Sequence, residues 1–402
     1  MSLALALHHY GRITFAAFAW LIAAAWLWRV LPALRMLPRV SNLLDVQYAA
    51  IEMTAWPSVA VIVPAKDEAA AIKTSLESVL AGDYPALQIV AVDDRSMDAT
   101  GALMDEVAVR DDAHGRLRVL HVKDLPEGWL GKPHAMALAA SESSSDWLLF
   151  TDADVIFAPN AVRLAVAYAS QTGSDHLVLY PTMILHGWAE RMLIAFFQSV
   201  SAWAARPWKI ADPLAKGDYI GVGAFNLIRR PVYEALGGYA ELRMEVLEDM
   251  RLGYRVKRAG YAQRAVFGKD LARIRWADSA WGILQNLTKN MYAAFRFRTS
   301  LVLGACIGLL LLCVTPFVAL AFSGPARWAG VVTLAALLLL NLRYWRQTEI
   351  SPAYLLLFPV STLLFLITIL RSMILVLWRG GVLWRGTLYP LKELRRHAGP
   401  LW

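Results

Sequence analysis

Apolar positions follow two different patterns along this chain. Between Trp56 and Arg298, short aliphatic runs alternate with segments of helical spacing. Residues 59–63 form a β-branched run ended by Pro64, which suits a buried parallel strand. Residues 69–80 have helical spacing, and 87–92 form the next strand-like run, ending in Asp93-Asp94. A helix is expected over 98–110, with Ser96 or Asp98 near its cap, then strands over 117–121 and 147–151. Residues 160–169 are helical after Pro159, and 176–180 are again strand-like. This alternation predicts an α/β domain with a mainly parallel sheet covered on both faces. In such sheets ligands bind beyond the carboxyl ends of the strands, which is where the acidic pairs fall.

The second pattern is a set of long runs without charge. Residues 13–28 lie between Arg12 and Arg29, a length that snorkelling arginines extend to a membrane span, and Trp26 and Trp28 suit interface anchors. Residues 299–325 (with Pro316 a candidate kink), 328–342 and 350–370 follow the soluble region. The expected organisation is an N-terminal anchor over 1–40, an α/β domain over 55–298 and a C-terminal transmembrane region with a basic tail over 299–402. Arg29, Arg35 and Arg39 follow the first run, so the positive-inside rule puts the domain in the cytoplasm. Three later spans would put the C-terminus outside, whereas Arg379, Arg385, Lys392, Arg395 and Arg396 argue for inside. One segment is therefore expected to be re-entrant, the short middle one first. Residues 188–208 read as an interfacial amphipathic helix or a plain core helix.

Composition agrees with this division. The 402 residues are 57% hydrophobic and 18% charged, against roughly 45–50% and about 25% in soluble domains. That balance excludes an ordinary cytosolic enzyme and a disordered chain. The net charge of +8 fits Lys/Arg facing anionic lipid. No nucleic-acid-binding module accompanies it. Cys306 and Cys313, seven apart in one apolar segment, are too distant on a helix for a disulfide.

No glycine-rich phosphate loop is present, which removes the main support for a dinucleotide enzyme or a P-loop ATPase. A phosphate-bearing substrate would be bound through a cation instead. Asp152-Ala-Asp154, after a buried strand, offers two hard carboxylates to Mg²⁺ or Mn²⁺; a solvated turn is the plain alternative. Asp93-Asp94-Arg95-Ser96-Met97-Asp98 could accept hydrogen bonds from a base or ribose, or simply cap a helix. Pro64-Ala65-Lys66-Asp67-Glu68 could edge a nucleoside or form a turn. Lys132, in a turn-rich segment, could neutralise phosphate oxygens or be solvated. Glu248-Asp249 opens an amphipathic helix, where a carboxylate complements the dipole or projects into a cleft as a base.

Taken in order, Val63-Pro64-Ala65-x-Asp67-Glu68, Asp93-Asp94-x-Ser96-x-Asp98, Thr151-Asp152-Ala153-Asp154 and Glu248-Asp249 resemble the family-2 inverting glycosyltransferases of GT-A fold. The resemblance covers roughly residues 57–290, and the flanking membrane segments resemble the ceramide- or hopanoid-glucosyltransferase branch. It implies that Pro64, Ala65, Asp67 or Glu68, and Asp93 contact the nucleoside of a nucleotide-sugar, with a UDP-sugar favoured. Asp152 and Asp154 would hold the sugar-diphosphate and its divalent metal. Asp249 would deprotonate an acceptor hydroxyl on a lipid for a single inverting displacement, with Lys132 and the metal stabilising the leaving group. The Q/R-x-x-R-W motif of membrane members is partial, with Ala272 in its first position before Arg275-Trp276. Lys289, in Gln285-Asn-Leu-Thr-Lys-Asn290, is the substitute cation, and the departure weakens the case for a polysaccharide synthase. The glycines of 217–230 and 236–239 resemble an acceptor-side loop or shape turns. The rival readings are a polyprenyl-phosphate sugar transferase and a non-catalytic membrane scaffold. Almost no charge except Arg371 lies within the membrane segments, which argues against a transporter.

Overall fold

The computed structural model describes residues 3–49, 53–113 and 115–399. By their internal contacts these fall into two compact units that interleave along the chain. One comprises Val40–Ile184, Pro207–Trp276 and Val376–Trp402; the other comprises Met1–Arg39, Leu185–Arg206 and Ala277–Leu375.

The first unit is α/β. Its strands are β1 (Val59–Ala65), β2 (Leu87–Asp94), β3 (Leu117–Val122), β4 (Trp147–Phe150), β5 (Val155–Phe157), β6 (His176–Leu179), β7 (Thr182–Met183), β8 (Asn226–Arg229), β9 (Gln263–Val266), β10 (Ala272–Ile274), β11 (Gly381–Trp384) and β12 (Thr387–Pro390). Seven form the central sheet in the order β3-β2-β1-β4-β8-β6-β9. The pairs β3–β2, β2–β1, β1–β4 and β6–β9 are parallel, and β8 is antiparallel to both β4 and β6. Side chains of β1 alternate between two cores, as a period of two requires. Val59, Val61 and Val63 join the helices Ile72–Leu80, Thr100–Ala108 and Ala161–Gln171 on one face. Ala60 and Ile62 join Gly131–Ser141 and Glu248–Arg258 on the other. β1 runs past Pro64 to Ala65, two residues beyond the expected strand.

Register explains why the acidic motifs share an edge. Ala65 pairs with Asp93, and Ile62 pairs with Phe150, so the segments 66–68, 93–98 and 151–154 leave the sheet side by side. Antiparallel β8 begins where β4 ends, with Asn226 opposite Phe150, so the glycine-rich segment before it emerges at the same edge.

The second unit is helical. Among the described residues four stretches are long and apolar enough to cross a membrane: His9–Arg39, Thr299–Leu320, Pro325–Trp345 and Pro352–Arg379. The middle C-terminal segment is a helix of 24 residues, Pro325–Thr348, against 22 for Thr299–Leu320. The shortness that marked it as re-entrant is therefore absent. Pro316 removes the amide that would bond the Leu312 carbonyl one turn earlier. The Trp26 indole N–H donates to that same carbonyl at 2.9 Å. A freed backbone acceptor in an apolar bundle thus has a partner, as burial away from water demands. Gly330 lets two helices approach, since a Cβ there would stand 2.6 Å from the Pro316 carbonyl oxygen. The expected helix over 188–208 is Trp188–Ala204. Cys306 and Cys313 are both free thiols.

Candidate active site

The motifs at the ends of β1 and β2 are laced to one another. Ser96 Oγ accepts from the Asp67 amide (3.0 Å), Thr100 Oγ1 from the Glu68 amide (2.8 Å) and Asp98 Oδ2 from the Ala69 amide (3.1 Å). In return the Met97 amide donates to Asp67 Oδ1 at 2.7 Å. Desolvation opposes the Asp98 carboxylate, yet hydrogen bonds from Thr100 and Ala69 hold its pKa below the ordinary value. Asp98 does accept from the amide of Thr100, the first helical residue (2.9 Å), but its second oxygen joins the two motifs. Asp93 accepts from the Ser96 amide (3.1 Å) and lies 3.2 Å from His121 Nδ1. Buried Asp94 is paired with Arg95 at 2.8 Å. Pro64 and Ala65 are buried strand residues flooring this edge.

Lys132, Asp152 and Glu248 converge more tightly. Lys132, in the first turn of the Gly131–Ser141 helix, bridges Asp152 (2.7 Å) and Glu248 (2.6 Å). Its side chain is 22% exposed. Desolvation disfavours the ammonium, but Asp152, Glu248 and Asp249 together raise its pKa well above the usual lysine value. Asp249, beside Glu248 at the start of the Glu248–Arg258 helix, is pushed up to about 7, first by burial and then by the charge of Glu248. Its Oδ1 accepts from the Met250 amide at 2.6 Å.

Two glycines of the 217–230 segment hold this convergence. A Cβ on Gly221 would stand 1.8 Å from the Asp249 carbonyl oxygen, and one on Gly223 would stand 2.6 Å from Asp152 Oδ2. Only a bare backbone fits between the two carboxylate-bearing segments. Beneath them Gln263 Nε2 lies within hydrogen-bond distance of the Ile220 (3.1 Å) and Gly253 (3.0 Å) carbonyls and of His176 Nδ1 (2.8 Å), while Asn226 bonds the other ring nitrogen. Burial pushes the His176 pKa down to about 4. This neutral polar support was missed at the sequence level, since nothing in the separate segments pairs His176 with Gln263.

Asp154 meets the test for a cation site from the opposite direction. Burial first, then the nearby charges of Asp152 and Glu68, raise its pKa to about 7. Crowded carboxylates of this kind suit a hard divalent ion. Among the described residues no group of three or more His, Cys, Asp or Glu forms a complete protein cage. Two carboxylates with substrate phosphates completing the shell is the usual donor set for Mg²⁺, so the residues fit such an ion. Lys289 lies on the Ala280–Ala294 helix of the helical unit, and Arg275-Trp276 directly follow β10.

The sheet order is that of a GT-A-like α/β fold with a mostly parallel central sheet. Residues 60–237, a little under half of the chain, match the Glycosyl transferase family 2 model. It is 23% identical over 271 residues to a 4,4'-diaponeurosporenoate glycosyltransferase of Staphylococcus haemolyticus, covering 66% of this chain and 69% of that protein. It is 27% identical over 213 residues to the probable glycosyltransferase YdaM of Bacillus subtilis, covering 52% of this chain and 49% of that protein. The match thus spans about half the length of the second relative. A mannosyltransferase of Pyrobaculum calidifontis, solved with GDP-Man and Mn²⁺, superposes with a TM-score of 0.50 at 21% identity, covering 87% of this chain and 99% of that one. That likeness is one of fold.

Proposed function

We propose that the protein is a membrane-bound inverting glycosyltransferase that moves one sugar from a nucleotide-sugar to a hydroxyl of a lipid acceptor, with Asp249 as general base. The observation that carries this reading is the Lys132 bridge from Asp152 to Glu248, which gathers the diphosphate-side carboxylates and the Asp249 helix at one point. A divalent cation, Mg²⁺ or Mn²⁺, held by Asp152 and Asp154 would supply charge neutralisation for the departing nucleoside diphosphate. Asp67, Glu68 and Asp93 edge the nucleoside. Lys132 faces the leaving diphosphate and keeps Asp249 ionisable near neutrality. A base poised near 7 can take the acceptor proton as the anomeric bond breaks. A carboxylate pair is unnecessary, because a single displacement needs one base.

The membrane reading rests on the four long apolar helices. Arginines after the first of them favour a cytoplasmic catalytic unit. Residues 376–402 belong to the same compact unit as the sheet, so both lie on one side of the bilayer and an even number of crossings separates them. Helices Thr299–Leu320 and Pro325–Thr348, joined by a short connection, are the crossing pair in this reading. Phe358–Arg379 then lies at the interface, where Arg371 donates to Thr288 at 2.8 Å and stacks on Trp281.

A panel of nucleotide-sugars with a total lipid extract, read by mass for a lipid gaining one hexose-sized increment, tests the function. Asp249→Asn should then lose roughly two to four orders of magnitude in turnover. A polyprenyl-phosphate acceptor is already ionised and needs no base, so an Asn variant that stays active favours that rival.

A further inference from the structure

The C-terminal basic segment is not a tail. β11 and β12 form a hairpin whose two-residue turn is Arg385-Gly386, with Trp384 opposite Thr387. Both turn residues have positive φ, 47° and 77°. That is a type I′ geometry, which prefers Asn-Gly and strains an arginine. The foot of the hairpin is fixed by buried Tyr389, whose hydroxyl accepts from the Gly131 amide at 3.2 Å. Its tip reaches the first nucleotide motif: Arg385 donates to the Asp67 carbonyl at 3.1 Å and pairs with the Glu68 carboxylate.

Seven non-glycine residues among those described have positive φ, and three of them, Asp67 (53°), Arg95 (59°) and Arg385 (47°), gather at this edge. Such conformations are strained and collect at ligand clamps. Two contacts leave the guanidinium with further N–H groups for an anion.

We propose that the β11–β12 hairpin is a strap across the nucleotide pocket and that Arg385 contacts the donor, exchanging Glu68 for the diphosphate of the incoming nucleotide-sugar. This rests on the donor reading given above. Arg385→Asn separates binding from folding, because asparagine is favoured at this turn position and the hairpin should melt no lower. With purified full-length protein and Mn²⁺, UDP and GDP are titrated, and uridine and guanosine are measured by competition. Whichever diphosphate the wild type binds should bind the variant about tenfold more weakly, with the nucleoside changed less than about twofold. Arg385→Lys, which keeps charge but loses the fork, should fall between. Equal losses for nucleoside and diphosphate, no loss, or tighter binding would each overturn the proposal. A wild type that binds neither diphosphate would sink the donor reading itself, and the strap with it.

Discussion

Replacing Lys132 with methionine tests whether the bridge organises the site. The ammonium contacts Asp152 at 2.7 Å and Glu248 at 2.6 Å, with the three side chains 22%, 31% and 5% exposed. At an effective dielectric near 20, each contact is worth about 6 kcal/mol of Coulomb attraction before desolvation. Removing one partner of a fully buried pair costs about 3–5 kcal/mol, because the remaining charge is stranded. Asp152 keeps some access to water, which places the expected loss at the lower end, about 3 kcal/mol. At about 2–4 °C per kcal/mol for a domain of this size, Lys132→Met should melt roughly 6–12 °C lower. The activity of any residual enzyme should also change shape with pH. Lys132 pulls the Asp249 pKa down against burial and Glu248, so its loss moves the acid limb to higher pH. Adding Glu248→Gln removes the stranded charge and should restore part of the stability, a coupling that a double-mutant cycle isolates. Thermal melts and pH–rate profiles of the two single variants and the double provide the measurement. A single variant that melts within about 1 °C of wild type, with an unmoved acid limb and additive double-mutant behaviour, would show that Lys132 is merely a solvated neighbour.

Other consequences follow from the same geometry. In the proposed reaction Asp249, raised to about 7, acts as the deprotonated base, so turnover should climb with pH up to about 7 and level above it. The sign for stability is opposite: a carboxyl held protonated by the fold favours the native state at low pH, and that contribution is lost as pH rises through about 7. A melting series from pH 5 to 8 checks it against Asp249→Asn, which should flatten the trend. Gly221→Ala forces a methyl to within 1.8 Å of the Asp249 carbonyl oxygen and should cost at least about 1–3 kcal/mol by melting. Gly217→Ala, with nothing within 4 Å, should stay within about 0.5 kcal/mol. Single cysteines at Glu142 and Arg396 should label from the same side of sealed vesicles and one at Ser323 from the other; Arg396 labelling with Ser323 would defeat the even-crossing topology.

The parts of the fold that were legible are those where local pattern and tertiary role coincide. β1, β2 and β4 are buried on both faces, so their β-branched runs announce parallel strands, and acid pairs directly after them announce an edge. β8 was not anticipated. Four residues pairing antiparallel on both sides leave little periodicity, and the glycines before Asn226 read as loop. Their purpose became visible only when Gly221 and Gly223 met Asp249 and Asp152 across the fold. The hairpin was lost for a related reason: Arg-Gly is a poor signature for a type I′ turn, so residues 381–390 read as part of a basic tail.

The same logic separates the carboxylates. Asp98 looked like a helix cap, and one of its oxygens serves that end, but the other holds the first motif through Ala69. Lys132 looked like a lone cation because its partners lie in segments far along the chain, and Glu248 looked like a dipole-complementing residue. Each plain reading is locally adequate, since a helix start does favour an acid. What local sequence cannot carry is the cost of burying four charges together. Lys132, Asp152, Glu248 and Asp249 are individually ordinary, and it is burial beside Glu248 that raises the Asp249 pKa to about 7. That shift therefore belongs to the convergence, and a variant that disperses one of its neighbours should move the ionisation of Asp249 before it moves the fold.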